Sequence, residues 1–253
     1  MCITGYNRQQ GIILKKLPYG DADEIITVLL KEEGLQRFFV TGSRKSKKRY
    51  QGLIDHFNHL CFYYTADTKG LLRLHKAESL GSAQSIPDRG LKWFCLAHYL
   101  TELISALTPE AARDHDLYPV WLDFEGRAAD QDFGLDGVVF FVLKVLEKTG
   151  YGIDLHRCVN CNNRDLTGQV VFDSVKGGIK CGRCCQSGDG GVVGYDLKHL
   201  QSLANNGASG ETQPRHSQVG NLLFLKQLVL FSENIVQKKS RAADFMLQVF
   251  GGH

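Results

Sequence analysis

Five of the eight cysteines in this 253-residue chain fall in one short stretch, as Cys158-x-x-Cys161, 19 intervening residues, then Cys181-x-x-Cys184-Cys185. A Cys-x-x-Cys knuckle turns the backbone so that two thiolates face one ion. Two knuckles complete a tetrahedron with Zn–S distances of about 2.3 Å. The spacing lies inside the range of four-cysteine zinc sites. Cys158, Cys161, Cys181 and Cys184 are therefore the expected ligands of one structural Zn2+ per chain. Four protein thiolates leave no open coordination position, so such an ion organises the chain rather than reacting. Cys185 is a spare thiol and His156 an alternative ligand beside the first knuckle. A thioredoxin-like redox pair would need a βαβ context, which is not apparent around these residues. Cys2, Cys61 and Cys95 are isolated and read as small core residues.

A second group of residues points to polyanions. Arg44-Lys45-Ser46-Lys47-Lys48-Arg49 carries five positive charges in six positions, followed by Tyr50, and no acid falls between Glu33 and Asp55. Arg37 lies just before the run, Lys15 and Lys16 on an earlier segment, and Lys69, Arg73 and Lys76 on a later one. Phe38, Phe39, Tyr50, Phe57, Phe62, Tyr63 and Tyr64 are interleaved with them. In single-strand binders, charges track phosphates while rings stack on bases. Lys15, Lys16, Arg37, Arg44, Lys45, Lys47, Lys48, Arg49 and Tyr50 are thus candidate nucleic-acid contacts. The competing reading is a solvated loop above core aromatics, since strand alternation turns half of such rings inward.

Motifs for catalysis are missing. No Gly-Lys dipeptide occurs, so there is no standard phosphate-binding P-loop. Gly150-x-Gly152 and Gly188-x-Gly190 lack the third glycine and the preceding strand of a dinucleotide fingerprint. Neither His-Glu-x-x-His nor Gly-x-Ser-x-Gly appears. His56 and His59 could share a helix face and read as polar surface. The groups Asp21/Asp23/Glu24, Asp114/Asp116 and Asp130/Asp132 read as turn and cap residues, although Asp21 and Asp23 with Mg2+ would be the pair to test for a nuclease. The sequence therefore reads as a binding protein, not an enzyme.

The elements that must position these residues differ along the chain. Gly11–Lys16, Ile25–Leu30, Leu35–Thr41, Leu60–Thr65 and Leu71–Leu80 read as five short strands, with Pro18–Asp21 and Glu33-Gly34 as turns. Five such strands suit a small closed barrel. From about residue 88 the period changes. Leu96, Leu100, Leu103, Ile104 and Leu107 fall at helical spacing, and Leu117, Val120, Trp121 and Phe124 continue the pattern. Val138–Lys148 is apolar nearly all round, with Gly150 as its stop, and predicts a buried central helix. Leu222–Val236 and Ala242–Phe250 predict two more helices. Between the cysteine knuckles, Val170–Phe172 and Gly178–Lys180 predict a hairpin across Lys176-Gly177. Gly188–Gly191 and Asn205–Pro214 read as loops.

Composition bounds the rest. Hydrophobic residues at 43% and charged residues at 23% suit a globular chain with a real core, not a disordered or collagen-like one. The net charge of +3 is unevenly spread. Residues 1–80 hold 13 Lys+Arg against 8 Asp+Glu, residues 81–150 hold 6 against 11, and residues 151–253 hold 11 against 8. A basic first third beside an acidic middle places the polyanion partner on the first domain. Lys144 interrupts the apolar window Val138–Leu146, and Lys226, Gln227, Ser232, Glu233 and Asn234 interrupt Leu222–Ile235, so neither is expected to span a bilayer. No signal peptide is apparent, and a cytoplasmic, nucleoid-associated location with reduced cysteines is expected.

Taken in order, the motifs resemble the bacterial RecO family of recombination mediators. Gly11-Ile-Ile-Leu-Lys-Lys16 and Tyr19-Gly20-Asp21-x-Asp23 are similar to its opening strand and turn, and Gly42-Ser-Arg-Lys45 through Arg49 to its basic loop. Leu146–Cys161, with Gly150-Tyr151, Asp154-Leu155 and the first knuckle, and Lys239-Ser240-Arg241-x-x-x-Phe245 complete the likeness over essentially the whole chain. The family usually has Glu where Asp21 stands and often Ser where Lys48 stands; some members lack the cysteines, which this chain keeps. The resemblance implies an α+β protein: a five-stranded OB-fold barrel over residues 1–80, then a mostly helical domain over 81–253 carrying an inserted zinc module at about 156–188. It also implies binding to single- and double-stranded DNA and annealing of complementary strands. The implied partners are RecR, single-stranded DNA-binding protein and, indirectly, RecA. An RNA-binding zinc protein with an OB domain is the alternative.

Overall fold

The computed structural model describes residues 6–45, 50, 52–68, 70–80, 90–109, 116–127, 134–166, 168, 170–185, 196–206 and 215–251. The chain divides into two compact units, one of residues 1–90 with 105–123 and one of 91–104 with 124–253.

The first unit is built on five strands: β1 (Asn7–Tyr19), β2 (Asp23–Leu30), β3 (Gly34–Val40), β4 (His59–Ala66) and β5 (Leu72–Ser79). They close into a barrel in the order β1-β2-β3-β5-β4, the strand order of an OB-fold. Closure depends on β1, which is long enough to pair twice. Residues from Gly11 to Tyr19 pair antiparallel with β2, and Asn7 to Ile12 pair with β4. Gly11 sits in the overlap, opposite Leu30 on one side and Leu60 on the other. A Cβ there would lie 2.7 Å from Val28 Cγ1, 2.8 Å from Leu30 Cδ2 and 3.0 Å from the Leu29 carbonyl oxygen, so only glycine fits. A register shift between Ile13 and Lys15 bends the strand just beyond. As a result Ile12, Ile13 and Leu14 are all buried in succession. A short parallel pairing of β3 with β5, at Phe38↔Leu72 and Phe39↔Arg73, completes the cylinder.

Inward-facing side chains fill the barrel. Phe38 stacks on Phe62 at 5.7 Å and meets Tyr64 edge-on at 5.0 Å, and Ile26, Val28 and Val40 pack around them. Two nearby polar residues differ from expectation. His56 and His59 share no helix: His56 lies in a turn and His59 begins β4, because Phe57 between them takes a left-handed φ of +68°. The His59 ring instead bonds the Tyr118 hydroxyl, and burial lowers its basicity.

The second unit is mostly helical. It includes most of α1 (Leu91–Leu107), the end of α2 (Leu117–Arg127), and all of α3 (Leu135–Lys148), α4 (Leu197–Asn206), α5 (Arg215–Val236) and α6 (Arg241–Gly251). α3 is the central helix: Val138, Val139, Phe141, Val142 and Leu146 have no measurable exposure, and only a narrow side with Lys144, Glu147 and Lys148 is polar. Thr149 ends it, with both its N–H and its Oγ1 donating to the Val145 carbonyl, and Gly150 follows at φ +87°. α5 packs against α3 and α6, and its Phe224, Leu225 and Leu228 are fully buried. It begins at Arg215, seven residues before the expected start. Val219–Val236 is consequently long and apolar enough to cross a bilayer by length and composition alone, a test that the core helix of a soluble protein also passes. Half of that stretch is buried, the pattern of a core helix.

The Lys239-Ser240-Arg241 segment starts α6. Ser240 Oγ accepts the Ala243 N–H at 3.0 Å as an N-cap and donates to Glu102 at 3.1 Å. The buried Glu233 accepts the Ser240 N–H at 2.9 Å and Lys239 Nζ at 2.7 Å.

Gly11→Ala should destabilise the barrel by about 1–3 kcal/mol, the usual range for overpacking, because the new methyl meets backbone as well as side chains. Urea unfolding followed by circular dichroism measures the loss.

Candidate metal centre and nucleic-acid interface

A second, three-stranded sheet assembles the cysteines. It consists of β6 (Asp154–Cys158), β7 (Val170–Asp173) and β8 (Gly178–Cys181), in the order β6-β8-β7. β7 and β8 form the expected hairpin. Asp173 organises its turn: Oδ1 accepts the N–H groups of Val175 and Lys176 at 2.9 and 3.0 Å, and Oδ2 pairs with Lys180 at 3.0 Å. Gly177 closes the turn at φ +69°, and a Cβ there would run into the Phe231 ring of α5. Phe172 lies against Phe224 and Phe231 of the same helix, at 5.4 and 6.4 Å between ring centroids. The hairpin is therefore seated on α5. β6 runs parallel to β8, so Cys158 and Cys181, at the ends of neighbouring strands, emerge side by side.

Each strand end then turns back on itself. After β6, Asn162 takes a left-handed φ of +59° and its N–H donates to the Cys158 carbonyl at 2.8 Å. After β8, the N–H groups of Cys184 and Cys185 donate to the Cys181 carbonyl at 2.9 and 3.2 Å. These turns gather the sulfurs of Cys158, Cys161, Cys181 and Cys184 within 4.8 Å of one another. The Cys161–Cys181 separation is 3.7 Å, against an edge of about 3.8 Å for a tetrahedron with Zn–S bonds near 2.3 Å. Cys185 lies outside this group; its sulfur donates to the Cys181 carbonyl at 3.4 Å. His156 is exposed on β6 and is not part of the group either.

The electrostatics of the group favour a cation. Burial opposes ionisation of Cys158, but N–H groups of Cys181, Cys161 and Asn160 point at its sulfur and bring its pKa down to about 6. Hydrogen bonding to Cys161, burial and the neighbouring thiols push Cys184 up to about 12. One thiolate thus discourages the next. A divalent ion removes the conflict, because a coordinated thiol gives up its proton. The four cysteines could hold a metal ion.

On the barrel, the expected nucleic-acid contacts separate into groups. Lys15 and Arg37 are exposed on the outer wall, in one cross-strand line through Thr27. Arg44 and Lys45 are exposed at the root of the loop after β3. That root is clamped to the β1–β2 turn: Asp23 accepts the Gly42 N–H at 2.7 Å, the Arg44 N–H donates to Ala22 at 3.0 Å, and its guanidinium donates to the Gly20 carbonyl at 3.0 Å. Asp23, the aspartate weighed for a nuclease, thereby holds the loop. Lys16 is less available than expected, since its ammonium pairs with Asp55 at 2.6 Å and donates to the Ile54 carbonyl at 3.0 Å. Lys47, Lys48 and Arg49 lie outside the described residues, as does Lys69.

Tyr50 requires a correction. It is only 4% exposed, belongs to the barrel core with Ile54, and donates its hydroxyl to the Leu74 carbonyl at 3.4 Å. This ring is therefore unavailable for stacking on a base. Of the seven aromatics first considered, Phe38, Tyr50, Phe57, Phe62 and Tyr64 are buried, which leaves Phe39 and Tyr63 partly exposed. Sequence reasoning passed over Tyr19, placing it in a turn; it is the last residue of β1 and 56% exposed. The alternation Lys15-x-Leu17-x-Tyr19 was the available signal.

The fold and the cysteine group define a class: OB-barrel proteins with a helical region that bears a four-thiol metal-binding cluster. Comparison with known sequences narrows the class. Residues 5–83 match the family described as Recombination protein O N terminal, and residues 91–207 match Recombination protein O C terminal. A DNA repair protein RecO of Synechococcus sp. is 30% identical over 187 residues, covering 70% of this chain and 65% of that protein. One of Symbiobacterium thermophilum is 28% identical over 185 residues, covering 72% of each. One of Anaeromyxobacter sp. is 27% identical over 207 residues, covering 79% of this chain and 78% of the relative. The match to the Synechococcus protein therefore spans a little under two thirds of that relative's length. The chain belongs to the RecO family.

Elemental analysis of protein purified without chelator should find one bound metal per chain. Cys184→Ser should abolish its retention against a competing chelator, and Cys185→Ser should leave it intact.

Proposed function

We propose that this chain is a DNA-binding recombination mediator that works without catalysing a covalent step. It binds single- and double-stranded DNA, anneals complementary strands, and with RecR assists RecA loading on strands coated by single-stranded DNA-binding protein. The observation that carries this reading is membership in a family whose relatives are named DNA repair proteins. The working division is a DNA-binding barrel over residues 1–80 and a helical domain over 81–253, in the cytoplasm at the nucleoid.

Lys15, Arg37, Arg44 and Lys45, together with Lys47, Lys48 and Arg49 of the basic run, are the proposed phosphate contacts, and Lys16 contributes as a partly neutralised neighbour. Phosphate contact releases counterions, which gives affinity without sequence preference. Partial neutralisation also lowers the repulsion between two strands, which lets them approach and pair. The acidic middle of the chain repels phosphate and suits protein contacts.

The metal is proposed to be zinc, held by Cys158, Cys161, Cys181 and Cys184. Four thiolates at tetrahedral spacing suit Zn2+ and close its shell. The chain has a separate helical core, so removing the ion should loosen residues 155–190 more than the rest.

The direct test is annealing. Complementary strands coated with single-stranded DNA-binding protein should pair faster with this chain than without it, and without ATP. No acceleration by folded, metal-loaded protein would contradict the reading, and preferential binding of matched RNA over DNA would favour an RNA-binding role. If all five charges of the basic run engage a single strand, the log–log salt slope they contribute is about −3.5. Lys47→Glu/Lys48→Glu should weaken binding and flatten that slope by about 1.4, as measured by a fluorescence titration over a salt series.

A further inference from the structure

Strand register places a second line of side chains beside the basic one. Leu17 pairs with Ile25, Ile25 with Phe39, and Phe39 with Arg73, so four residues lie in a row across β1, β2, β3 and β5 on the outer wall. Lys15, Thr27 and Arg37 form the adjacent row, two residues away along each strand and on the same face. Tyr19 is the next outward residue on β1. Its ring meets Phe39 edge-to-face at 5.5 Å with an interplanar angle of 84°. The Arg73 guanidinium lies over the Phe39 ring at 5.6 Å and is 4.0 Å from Asp67.

This grouping contributes little to the fold. Tyr19 and Leu17 are 56% and 47% exposed, while the buried rings of Phe38, Tyr50, Phe62 and Tyr64 already fill the barrel. Single exposed apolar residues need no explanation, but a contiguous aromatic and apolar strip bordered by cations does. The ring is also pre-positioned, since Phe39 braces it from the neighbouring wall. An unpaired nucleotide offers the matching chemistry: a flat π-face beside a negative phosphate. A duplex does not, because its base faces are occupied by one another.

We propose that Tyr19, braced by Phe39 and Arg73, is a base-stacking platform that gives the barrel its preference for single-stranded over double-stranded DNA, with Lys15 and Arg37 meeting the flanking phosphates. This deepens the DNA-binding reading above and rests on it. Stacking supplies affinity from base faces, whereas the basic loop supplies it from charge, so the two contributions separate by experiment.

The test compares three oligonucleotides of equal length, a single strand, an abasic single strand and a duplex, on the full chain and its variants at fixed salt. Tyr19→Ala should weaken single-strand binding by about tenfold, the worth of one stacked base, and leave the salt slope in place. Its loss on duplex should be far smaller. The abasic strand should bind the unaltered chain about as weakly as the normal strand binds Tyr19→Ala. Tyr19→Phe should restore binding, because the ring and not the hydroxyl is at work. Phe39→Leu should reproduce part of the loss, and the exposure of Tyr19 makes its own substitution safe for folding, which thermal melting checks. Equal losses on single strand and duplex, or no loss on either, would overturn the platform while leaving charge-based DNA binding intact. Absence of binding to every oligonucleotide by the unaltered chain would overturn the DNA reading and the platform together.

Discussion

Everything on the barrel depends on β1 pairing with two partners at once. Its 13 residues form two ladders that overlap at Gly11 and Ile12, and the overlap requires a residue with no side chain. Once β1 is shared between β2 and β4, the register of the whole cylinder follows. Ile26, Phe38, Phe62 and Tyr64 must point in, and Lys15, Leu17, Tyr19, Arg37 and Phe39 must point out. A slip of one residue would exchange those sets, bury cations and expose rings. The same strand geometry that stabilises the core thus assembles the surface proposed to meet DNA.

The cysteine group depends on a different constraint, which is the crowding of four thiols within 4.8 Å of one another. Backbone N–H groups lower the pKa of Cys158, while its neighbours raise that of Cys184. A bound cation would resolve this opposition, because a coordinated thiol gives up its proton. The module's mechanical anchor is apolar: Phe172 and Gly177 seat the hairpin on α5, beside Phe224 and Phe231. Charge at one end and packing at the other hold the short strands in place, although four-residue strands such as β7 and β8 have little stability alone.

Much of this was legible in the sequence, and what was not has physical reasons. The four sulfurs gathered by the fold are those whose spacing announced them, because a Cys-x-x-Cys turn is a local structure. The five strands were legible from β-branched runs between turns, and α3 from its uniform apolarity. β6 and α4 were not anticipated. β6 carries one aliphatic residue, Leu155, and its parallel pairing with β8 is a tertiary contact that no local pattern encodes. α4 buries only a narrow stripe through Leu200 and Leu203. Tyr50 was misjudged because composition placed it with the charges, whereas its ring is buried in the barrel core, a tertiary contact that local sequence does not encode. Tyr19 was missed for the opposite reason: a turn-like neighbourhood hid a strand residue whose exposure follows from register. Family resemblance, carried by motifs spread along the chain, needed no tertiary information, and the matches over residues 5–83 and 91–207 agree with it.

The central claim is that DNA lies on the outer wall and basic loop of the barrel and not on the helical unit. Photo-crosslinking of a single strand substituted with bromodeoxyuridine, followed by peptide mapping, tests it most directly. The account predicts crosslinks in peptides from β1, β3 and the segment between β3 and β4, and few from α3, α5 or the cysteine module. Crosslinks confined to the helical unit, with the barrel peptides untouched, would contradict it.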